Sequence, residues 1–479
     1  MMRASPSSER YGLSSLDPGD RTPLYQQIYL RLRNAITEGL IPPEERIPSA
    51  RALAKELGLA RGTIESAYSL LADEGYVQSR GQAGTVVMPG LEHKSSAAPA
   101  GQRSEATRPA ALPSHPSVPP FQMGLPALDA FPRKVWARLA ARCARSTQPY
   151  DMAYPLFGGA TVLREAIAGY LRVSRGIDCM PQQVFVTSGY RETLNLVLHT
   201  LLSAGDKAWI EDPGYAPTKR VLSGYGLDLI PVPVDEEGMC TDYAKRNCCD
   251  ARLAVVTPAH QSPLSVSLSL PRRLALLEWA GANDAWIVED DYDGEYRYQG
   301  RPLPALKSLD TQGRVIYSGT FSKVMFPALR LAYLVVPRSL VSSFEVTVQT
   351  LGGGIPAITQ SIVAMFMKEG HFSRHIQRMR RLYTDRREEV AAGLMDILGE
   401  HMSAELQPGG MHLILRQKDG SAFDDIAIAQ RIREQGMFTD ALSKWYLKSP
   451  VSHGLLFSFT NVPSREAARE LAKRILPLL

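Results

Sequence analysis

The sequence predicts an α/β protein with a large, mostly parallel β-sheet, preceded by a small domain of three helices and a β-hairpin. From about residue 121 onward, short apolar runs alternate with helical patterns, which is typical of parallel sheets. Residues 21–89 show three short helical periods and then two strand-like runs. Residues 90–120 are rich in Ala, Pro and Ser without apolar periodicity, which predicts a flexible linker.

Composition places the chain among ordinary globular proteins. It has 479 residues, of which 44% are hydrophobic and 22% charged, enough for about two to four domains. A net charge of +5 is compatible with nucleic-acid binding without demonstrating it. No apolar run is long enough to cross a bilayer, and the polar residues 1–20 predict a disordered N-terminus without a signal sequence.

The five cysteines form no CxxC pair. An odd number of cysteines without a secretory signal predicts reduced thiols and a cytoplasmic, nucleoid-associated location.

The small domain has recognisable helix boundaries. Ser49 is suited to cap the second helix, and Gly39, Gly58 and Gly75 are suited to end the three helices. The predicted helices are residues 23–39, 49–58 and 61–73, followed by hairpin strands at residues 76–80 and 85–88.

Three short helices followed by a hairpin form a winged helix-turn-helix, whose third helix enters the major groove of DNA. The predicted DNA contacts are Arg51, Arg61, Gly62, Thr63, Arg80 and Gly81. A small helical domain that binds protein is the alternative, because residues 21–88 carry eight basic and seven acidic residues, a net charge of only +1. Two copies in a dimer would strengthen weak DNA binding.

One strand of the large domain carries the main site prediction. Val315-Ile316-Tyr317 predicts a short buried strand, and Ser318 to Lys323 follow at its carboxyl end, where open α/β sheets bind ligands. A partly desolvated lysine has a lowered pKa and can form a Schiff base with an aldehyde cofactor. The Thr320 and Ser322 hydroxyls and the Arg330 guanidinium are suited to a phosphate. The alternative is an ordinary surface lysine on a Ser/Thr-rich loop.

Three further strand ends add to this prediction. The Ser188-Gly189-Tyr190 turn leads from a strand into a helix, whose first N–H groups can bind a phosphate. Tyr215 follows the next strand and could stack on an aromatic ring, although a packed tyrosine in a Pro-Gly turn is equally compatible.

A carboxylate cluster at residues 289–295 ends another strand. One interpretation is a metal site, against which no histidine is interleaved. The other is that Asp290 pairs with a protonated pyridine nitrogen and Tyr292 bonds the ring oxygen. Together, a phosphate turn, a tyrosine, a carboxylate and a lysine at strand ends fit pyridoxal 5′-phosphate.

The first domain resembles the GntR-type DNA-binding domain over its whole length. The matching residues are Pro23–Tyr25, Ile47–Ala54, Leu57–Ile64, Ala67–Tyr68 and Glu74–Tyr76. Three positions that face DNA in that family depart from it: Ala60 stands for Ser or Thr, Gly62 for Asn or Thr, and Glu65 for Arg. The operator sequence therefore does not carry over from the resemblance.

Nearly the whole chain resembles the MocR branch of GntR regulators, in which a fold-type-I aminotransferase-like domain follows the winged helix. The matching stretches of the large domain are Tyr154–Gly159, Leu163–Arg164, Thr187–Gly189, Gly205–Asp206, Glu211–Tyr215, Thr257–Gln261, Pro271–Arg273, Glu289–Tyr292, Arg301–Leu306, Gly319–Lys323 and Arg330.

The resemblance implies specific roles for these residues. It implies a Schiff base at Lys323, a pyridine partner at Asp290 and a ring-hydroxyl partner at Tyr292. It also implies a head-to-tail homodimer, in which Tyr154 is offered to the cofactor of the partner subunit. The predicted cofactor-binding residues are Tyr154, Ser188, Gly189, Tyr190, Tyr215, His260, Asp290, Tyr292, Thr320, Ser322 and Arg330.

Two departures and one charged segment bear on function. After His260-Gln261 the family usually has an aromatic residue followed by Pro-Thr-Gly, whereas this chain has Ser262–Ser265. Near the C-terminus, Leu455–Phe459 lacks the arginine with which aminotransferases bind a substrate carboxylate. The arginine-rich residues 371–387 could touch DNA, but we favour a solvated helix face.

The sequence thus predicts a transcription regulator that binds double-stranded operator DNA, pyridoxal 5′-phosphate and a small-molecule effector, either an amine or the cofactor itself. An amine effector would displace Lys323 and form an external aldimine. The missing arginine favours such a sensor over an efficient transaminase. The alternatives are an active pyridoxal-phosphate-dependent aminotransferase with an accessory DNA-binding domain, and a structural repressor that takes no cofactor.

Overall fold

The structure is a computed structural model. It describes residues 22–81, 84–89, 118–298, 300, 304–352 and 354–479, with Tyr11, Leu13, Leu16, Asp17, Gly19 and Asp20. The chain divides into two compact units, Met1–Ser114 and His115–Leu479. Most of the predicted disordered N-terminus, nearly all of the predicted linker and the matching residues 301–303 lie outside the described residues.

In its described residues, the first unit has three α-helices and a three-stranded antiparallel sheet. The helices are α1 (Leu24–Thr37), α2 (Ala50–Leu57) and α3 (Arg61–Asp73); the strands are β1 (Arg46–Ile47), β2 (Val77–Ser79) and β3 (Thr85–Val87), in the order β1-β3-β2. Ser49 Oγ accepts a hydrogen bond of 3.2 Å from the Ala52 N–H, and Gly58 ends α2 with φ of 65°. The predicted winged helix-turn-helix is confirmed.

The core of this unit forms because each helix buries one apolar stripe. Ile28, Leu32, Leu53, Ile64 and Leu71 are fully buried between the helices and the sheet. The two-residue strand β1, which pairs with β3, was not predicted, since two residues before a proline carry no strand periodicity.

The second unit is a mixed α/β domain. Its helices are α4 (Arg133–Ser146), α5 (Thr161–Ser174), α6 (Tyr190–Leu201), α7 (Ala216–Tyr225), α8 (Thr241–Asn247), α9 (Leu270–Ala282), α10 (Val341–Leu351), α11 (Ala357–Lys368), α12 (His371–Leu398), α13 (Asp425–Glu434) and α14 (Arg465–Ile475). Its large sheet is formed by β4 (Val184–Thr187), β5 (Lys207–Asp212), β6 (Asp228–Asp235), β7 (Gly238–Met239), β8 (Leu253–Val256), β9 (Trp286–Asp291), β10 (Val315–Thr320) and β11 (Ala332–Val335).

The eight strands lie in the order β4-β11-β10-β9-β8-β5-β6-β7. The five strands from β10 to β6 pair in parallel, whereas β11 is antiparallel to both of its neighbours and β7 is antiparallel to β6. The mostly parallel sheet is therefore confirmed. The five parallel strands end at one edge, where the site residues collect.

The central strands are apolar throughout because both faces of the sheet are covered. Val255, Val288 and Ile316 pack with α6 and α10, whereas Ile287 and Val315 pack on the opposite face with α9. Burial on both faces removes the alternation of polar and apolar residues that a half-exposed strand shows.

The structure also contains strands that the sequence did not reveal. β6 was missed because Pro231 and Pro233 interrupt it, and such prolines are tolerated near a sheet edge. A second antiparallel sheet near the C-terminus has the order β12-β13-β15-β14, formed by Met402–Glu405, His412–Gln417, Leu455–Ser458 and Asp440–Ala441.

The arginine-rich segment forms the first half of α12. Ile376, Met379 and Tyr383 are buried, as the solvated-face interpretation predicted. The arginines themselves divide into two groups. Arg386 binds Asp129 and the Thr460 carbonyl, and Arg387 donates to the Gln407 carbonyl at 2.6 Å. Arg374, Arg378 and Arg381 are exposed.

Candidate functional site

A cavity of about 610 Å³ opens at the carboxyl ends of β9 and β10. Its wall is completed by the start of α6, the start of β13 and residues around Trp445. The lining residues are Met123, Gly124, Leu125, Gly189, Tyr190, Arg191, Tyr215, Pro217, Ser262, Asp290, Tyr292, Asp293, Thr320, Ser322, Lys323, Pro327, Arg330, Met411, His412 and Trp445.

Nine of the twelve predicted cofactor-site residues line this one cavity. The three that do not are Tyr154, which is fully exposed, Ser188, whose N–H donates to Glu192, and His260. His260 is buried and its Nδ1 lies 3.0 Å from Asp293 Oδ1. A side chain at Gly409 would collide with the His260 ring, so this ring packs against the glycine, and His260 is absent from the cavity lining.

Lys323 lies just after β10 and reaches into the cavity. Its Nζ donates a hydrogen bond of 2.7 Å to the Gly124 carbonyl. Burial lowers the pKa of Lys323, and the carboxyl groups of Asp293 and Asp290 oppose that shift only in part. A buried amine with a lowered pKa is more readily available as a nucleophile.

A candidate anion cradle forms where the start of α6 meets Arg330. Gly189 precedes α6 with φ of 144°, and a Cβ there would lie 3.3 Å from Arg330 Nη2. The missing side chain thus lets the guanidinium approach the turn. Arg330 itself has φ of 49°, a strained value for a residue with a side chain. Helix N–H groups, a guanidinium and the Thr320 hydroxyl are suited to a phosphate.

Asp290 and the Tyr292 hydroxyl are buried polar groups in the wall of the cavity. Burial, followed by the neighbouring Asp291, raises the pKa of Asp290 well above its ordinary value. The buried Tyr292 hydroxyl makes no hydrogen bond in the described part of the chain. A carboxyl group that needs a cation and a hydroxyl that needs a partner suit a protonated pyridine ring with an adjacent oxygen. The residues present therefore fit pyridoxal 5′-phosphate.

A buried ion-pair network holds the end of β9 in place. Arg175 Nε lies 2.9 Å from Asp291 Oδ2, and Arg175 Nη2 lies 3.2 Å from Glu295 Oε2. The Tyr317 hydroxyl donates to Asp291 at 2.7 Å, and the Tyr170 hydroxyl donates to Glu295 at 3.0 Å. These contacts fix Asp291, which lies between Asp290 and Tyr292, and Glu295, which follows them.

The clustered carboxylates at residues 289–295 are directed to different partners. Glu289 accepts the Leu306 and Lys307 N–H groups, Asp291 and Glu295 bind Arg175, and Asp293 contacts His260. Among the described residues, no group of three His, Cys, Asp or Glu side chains is arranged to hold a metal ion.

Trp445 joins the site through contacts that sequence analysis missed. Asp212, at the end of β5, accepts the Leu447 N–H at 2.6 Å and the Lys448 N–H at 3.2 Å. Lys219 donates to the Trp445 carbonyl. The centroids of the Trp445 and Tyr215 rings lie 6.1 Å apart. No local motif indicates this, because Asp212 and Trp445 lie far apart in sequence.

The predicted DNA-contact residues lie on the surface of the first unit. Arg51, Arg61, Gly62, Arg80 and Gly81 are exposed, and Thr63 is half-buried. Arg61 and Glu65, one turn apart on α3, form a salt bridge of 2.7 Å between Nε and Oε1.

Two general features complete the description. Of the helices among the described residues, none has the length and apolar character that crossing a membrane requires.

All five cysteines are free thiols, and only Cys249 is exposed.

Comparison with known families matches both units. The bacterial regulatory proteins of the gntR family match residues 24–87, and aminotransferase class I and II matches residues 126–465. The chain is 36% identical to a probable rhizopine catabolism regulatory protein, MocR, of Rhizobium meliloti, over 97% of this chain and 96% of the relative. It is 34% identical to the pyridoxine biosynthesis transcriptional regulator PdxR of Corynebacterium glutamicum, over 93% and 94% respectively.

Solved structures resemble the large unit. A kynurenine aminotransferase of Pyrococcus horikoshii aligns with a TM-score of 0.67 at 26% identity, over 76% of this chain and 92% of that chain. An archaeal alanine:glyoxylate aminotransferase aligns with a TM-score of 0.69 at 26% identity, over 76% and 91%. The aminotransferase fold family uses pyridoxal phosphate, in agreement with the fit of the cavity residues.

Proposed function

This chain belongs to the MocR branch of the GntR regulators and is a DNA-binding transcriptional regulator, and we propose that its cavity binds pyridoxal 5′-phosphate and senses an amine effector. The observation that carries the proposal is the convergence of Lys323, Asp290, Tyr292 and Arg330 on one cavity of about 610 Å³. These residues come from separate strand ends, and their chemistry matches the parts of one cofactor.

Each part of the cofactor has a residue suited to hold it. Arg330, Thr320 and the N–H groups at the start of α6 would hold the phosphate. Asp290 would pair with the pyridine nitrogen, and Tyr292 would bind the ring oxygen. Tyr215 would lie against the ring face.

Lys323 is the residue through which an amine would be sensed. The bound cofactor supplies an aldehyde that condenses reversibly with primary amines. Burial lowers the pKa of Lys323, so that more of its amine is unprotonated at neutral pH. An amine effector would compete with Lys323, and coupling to DNA requires that the effector bind one arrangement of the regulator better than another.

The site favours sensing over steady transamination. All residues of β15 are buried, and none is an arginine or lysine. A substrate carboxylate would therefore lack the usual bidentate partner at this position. The second candidate is an active aminotransferase with an accessory DNA-binding domain. It is favoured by the presence of all three residues proposed to hold the cofactor, Lys323, Asp290 and Arg330. Steady turnover of an amino acid with a keto acid by the purified protein would identify it as an aminotransferase.

A second copy of the chain is the proposed partner of the large unit. Tyr150, Met152, Tyr154, Leu156 and Phe157 are all exposed in one short segment. Exposed apolar side chains in such number indicate an interaction surface. A homodimer would bury them, would offer Tyr154 to the partner's cavity and would bring two winged helices to one operator. Sedimentation of the purified protein tests this proposal.

The first experiment is a visible absorbance spectrum of the purified full-length protein with added pyridoxal 5′-phosphate, beside Lys323→Ala. We expect a band characteristic of a lysine-bound cofactor in the wild type only. Borohydride reduction followed by peptide mass analysis should place the cofactor on Lys323. Lys307→Ala is the matched control, because Lys307 is, like Lys323, a half-buried lysine with a pKa lowered by burial, but it lies outside the cavity lining.

Two other outcomes of the absorbance experiment would contradict the proposal. A wild-type band that survives in Lys323→Ala would place the cofactor on another lysine. A missing wild-type band would mean that the fold has lost this chemistry, and the effector search would then begin without an amine.

A further inference from the structure

We propose that the cavity beside Lys323 contains a second recognition site, formed by Asp293 and His412, for a cationic or hydroxyl group at the far end of the effector. The effector class is then a primary amine that carries a second ammonium or hydroxyl group and no carboxylate. This inference rests on the proposed function, because it specifies which amines the same cavity takes.

Asp293 presents an unsatisfied acceptor in this cavity. The side chain is only 2% exposed and lines the cavity two residues after the end of β9. Its Oδ1 lies 3.0 Å from His260 Nδ1, but its Oδ2 has no hydrogen-bond partner among the described residues. A buried carboxylate oxygen without a donor is unfavourable, so a donor group of a bound ligand would stabilise it.

His412 adds a second acceptor to the same wall. Its Nε2 lies 2.7 Å from the Pro263 carbonyl oxygen. A carbonyl only accepts hydrogen bonds, so Nε2 carries the proton. Burial lowers the pKa of His412, which favours the neutral ring with an unprotonated Nδ1. A neutral His412 therefore offers a ligand an acceptor rather than a second donor.

The cations that line the cavity have other assigned partners, although the Asp293 carboxyl also opposes the lowering of the Lys323 pKa. Lys323 and Arg330 belong to the proposed cofactor site, and Arg191 is exposed on the first turn of α6. A ligand carboxylate near Asp293 would meet a like charge, whereas an ammonium or hydroxyl group would supply the missing donor. The charge arrangement thus selects against carboxylates and in favour of donors.

The test uses the full-length protein loaded with pyridoxal 5′-phosphate and four amines of similar length. They are 1,4-diaminobutane, 4-amino-1-butanol, 4-aminobutanoate and n-pentylamine. The change in the cofactor band gives the concentration at half-saturation, and calorimetry gives an independent affinity. We expect the diamine and the amino alcohol to bind at least about tenfold more tightly than n-pentylamine, because n-pentylamine has no donor for the buried carboxylate oxygen. 4-Aminobutanoate should bind most weakly.

Two variants separate recognition from folding. Asp293→Asn should keep the cofactor band and lose the advantage of the diamine over n-pentylamine. Asp284→Asn should leave the order of amines unchanged, because Asp284 is an exposed carboxyl that pairs with Arg314 and lies outside the cavity lining.

The proposal fails if 4-aminobutanoate binds more tightly than the diamine, or if Asp293→Asn keeps the wild-type order. The wild-type order of amines decides the first point even if the variant does not fold. A wild-type protein that shows no cofactor band would instead overturn the proposed function, together with this inference.

Discussion

The two units of the chain present their functional residues in opposite ways. Arg51, Arg61 and Arg80 are exposed on the surface of the first unit, where solvent screens their charges. In the second unit, Asp290 and the Tyr292 hydroxyl are buried, and this hydroxyl makes no hydrogen bond among the described residues. Burying a polar group without a partner is energetically unfavourable, so such a group indicates which chemical group a ligand would supply. An exposed charge indicates little about its ligand, because water can solvate it. The structure therefore specifies the ligand of the cavity more closely than the DNA sequence.

The largest effect should come from removing the buried charge at Asp290. We expect Asp290→Asn to weaken binding of pyridoxal 5′-phosphate by roughly 100-fold or more, because losing one partner of a buried charge pair costs about 3 kcal/mol. Titration of the protein with cofactor, followed by absorbance, measures the change. Asp284→Asn is the control, since Asp284 forms an exposed pair with Arg314. Equal affinities of the two variants would contradict the assigned role of Asp290.

The same contrast explains how far the sequence could predict the molecule. Lys323, Asp290 and Arg330 stand at strand ends, and a parallel sheet brings the ends of its strands together. Nine predicted residues could therefore be assigned to one cavity before any coordinates were known.

The residues that were missed depend on contacts between distant segments. Asp212 holds the segment just after Trp445 through the Leu447 and Lys448 N–H groups. His412 comes from the second sheet, which the sequence did not predict. His260, a predicted cofactor residue, contacts Asp293 and Gly409 and is absent from the cavity lining. Sequence spacing gives the strand that carries a residue, but tertiary packing decides which way its side chain points.

Burial also makes the stability of the second unit depend on pH. Burial, with a smaller contribution from Arg378, lowers the pKa of His375 to about 4. An unfolded histidine titrates near pH 6.5, so the contribution of neutral His375 is present above pH 6.5 and is lost as the pH falls toward 4. The loss amounts to at most about 3 kcal/mol.

Tryptophan fluorescence can measure this change in the second unit alone, because all five tryptophans lie between residues 136 and 445. We expect the free energy of unfolding of the wild type to fall more steeply between pH 6.5 and 4 than that of His375→Gln. Other buried groups titrate equally in both proteins, so the difference between the two curves isolates His375. Parallel curves would show that His375 is protonated at no cost.

In the first unit the expected effects are smaller. Arg61→Ala should weaken operator binding by about tenfold, or about 1.4 kcal/mol, and relax base preference where α3 meets the major groove. Mobility shifts and footprints at fixed salt measure both changes. Arg33→Ala is the control, because Arg33 lies on α1 over the Tyr29 ring. An unchanged footprint and affinity would mean that α3 does not dock by its N-terminal end.

The smallest expected effect concerns whether the salt bridge with Glu65 keeps Arg61 from binding DNA. The pair between Arg61 and Glu65 is 67% and 49% exposed, and such pairs on a helix contribute only about 0.3–0.5 kcal/mol. Glu65→Ala should release Arg61 and remove a negative charge near the phosphates, raising operator affinity by roughly twofold to threefold at low salt. The gain should shrink as salt rises, and the part that depends on Arg61 should vanish in an Arg61→Ala background. A loss of affinity would mean instead that Glu65 accepts a hydrogen bond from a base, and that this exposed carboxylate reads sequence.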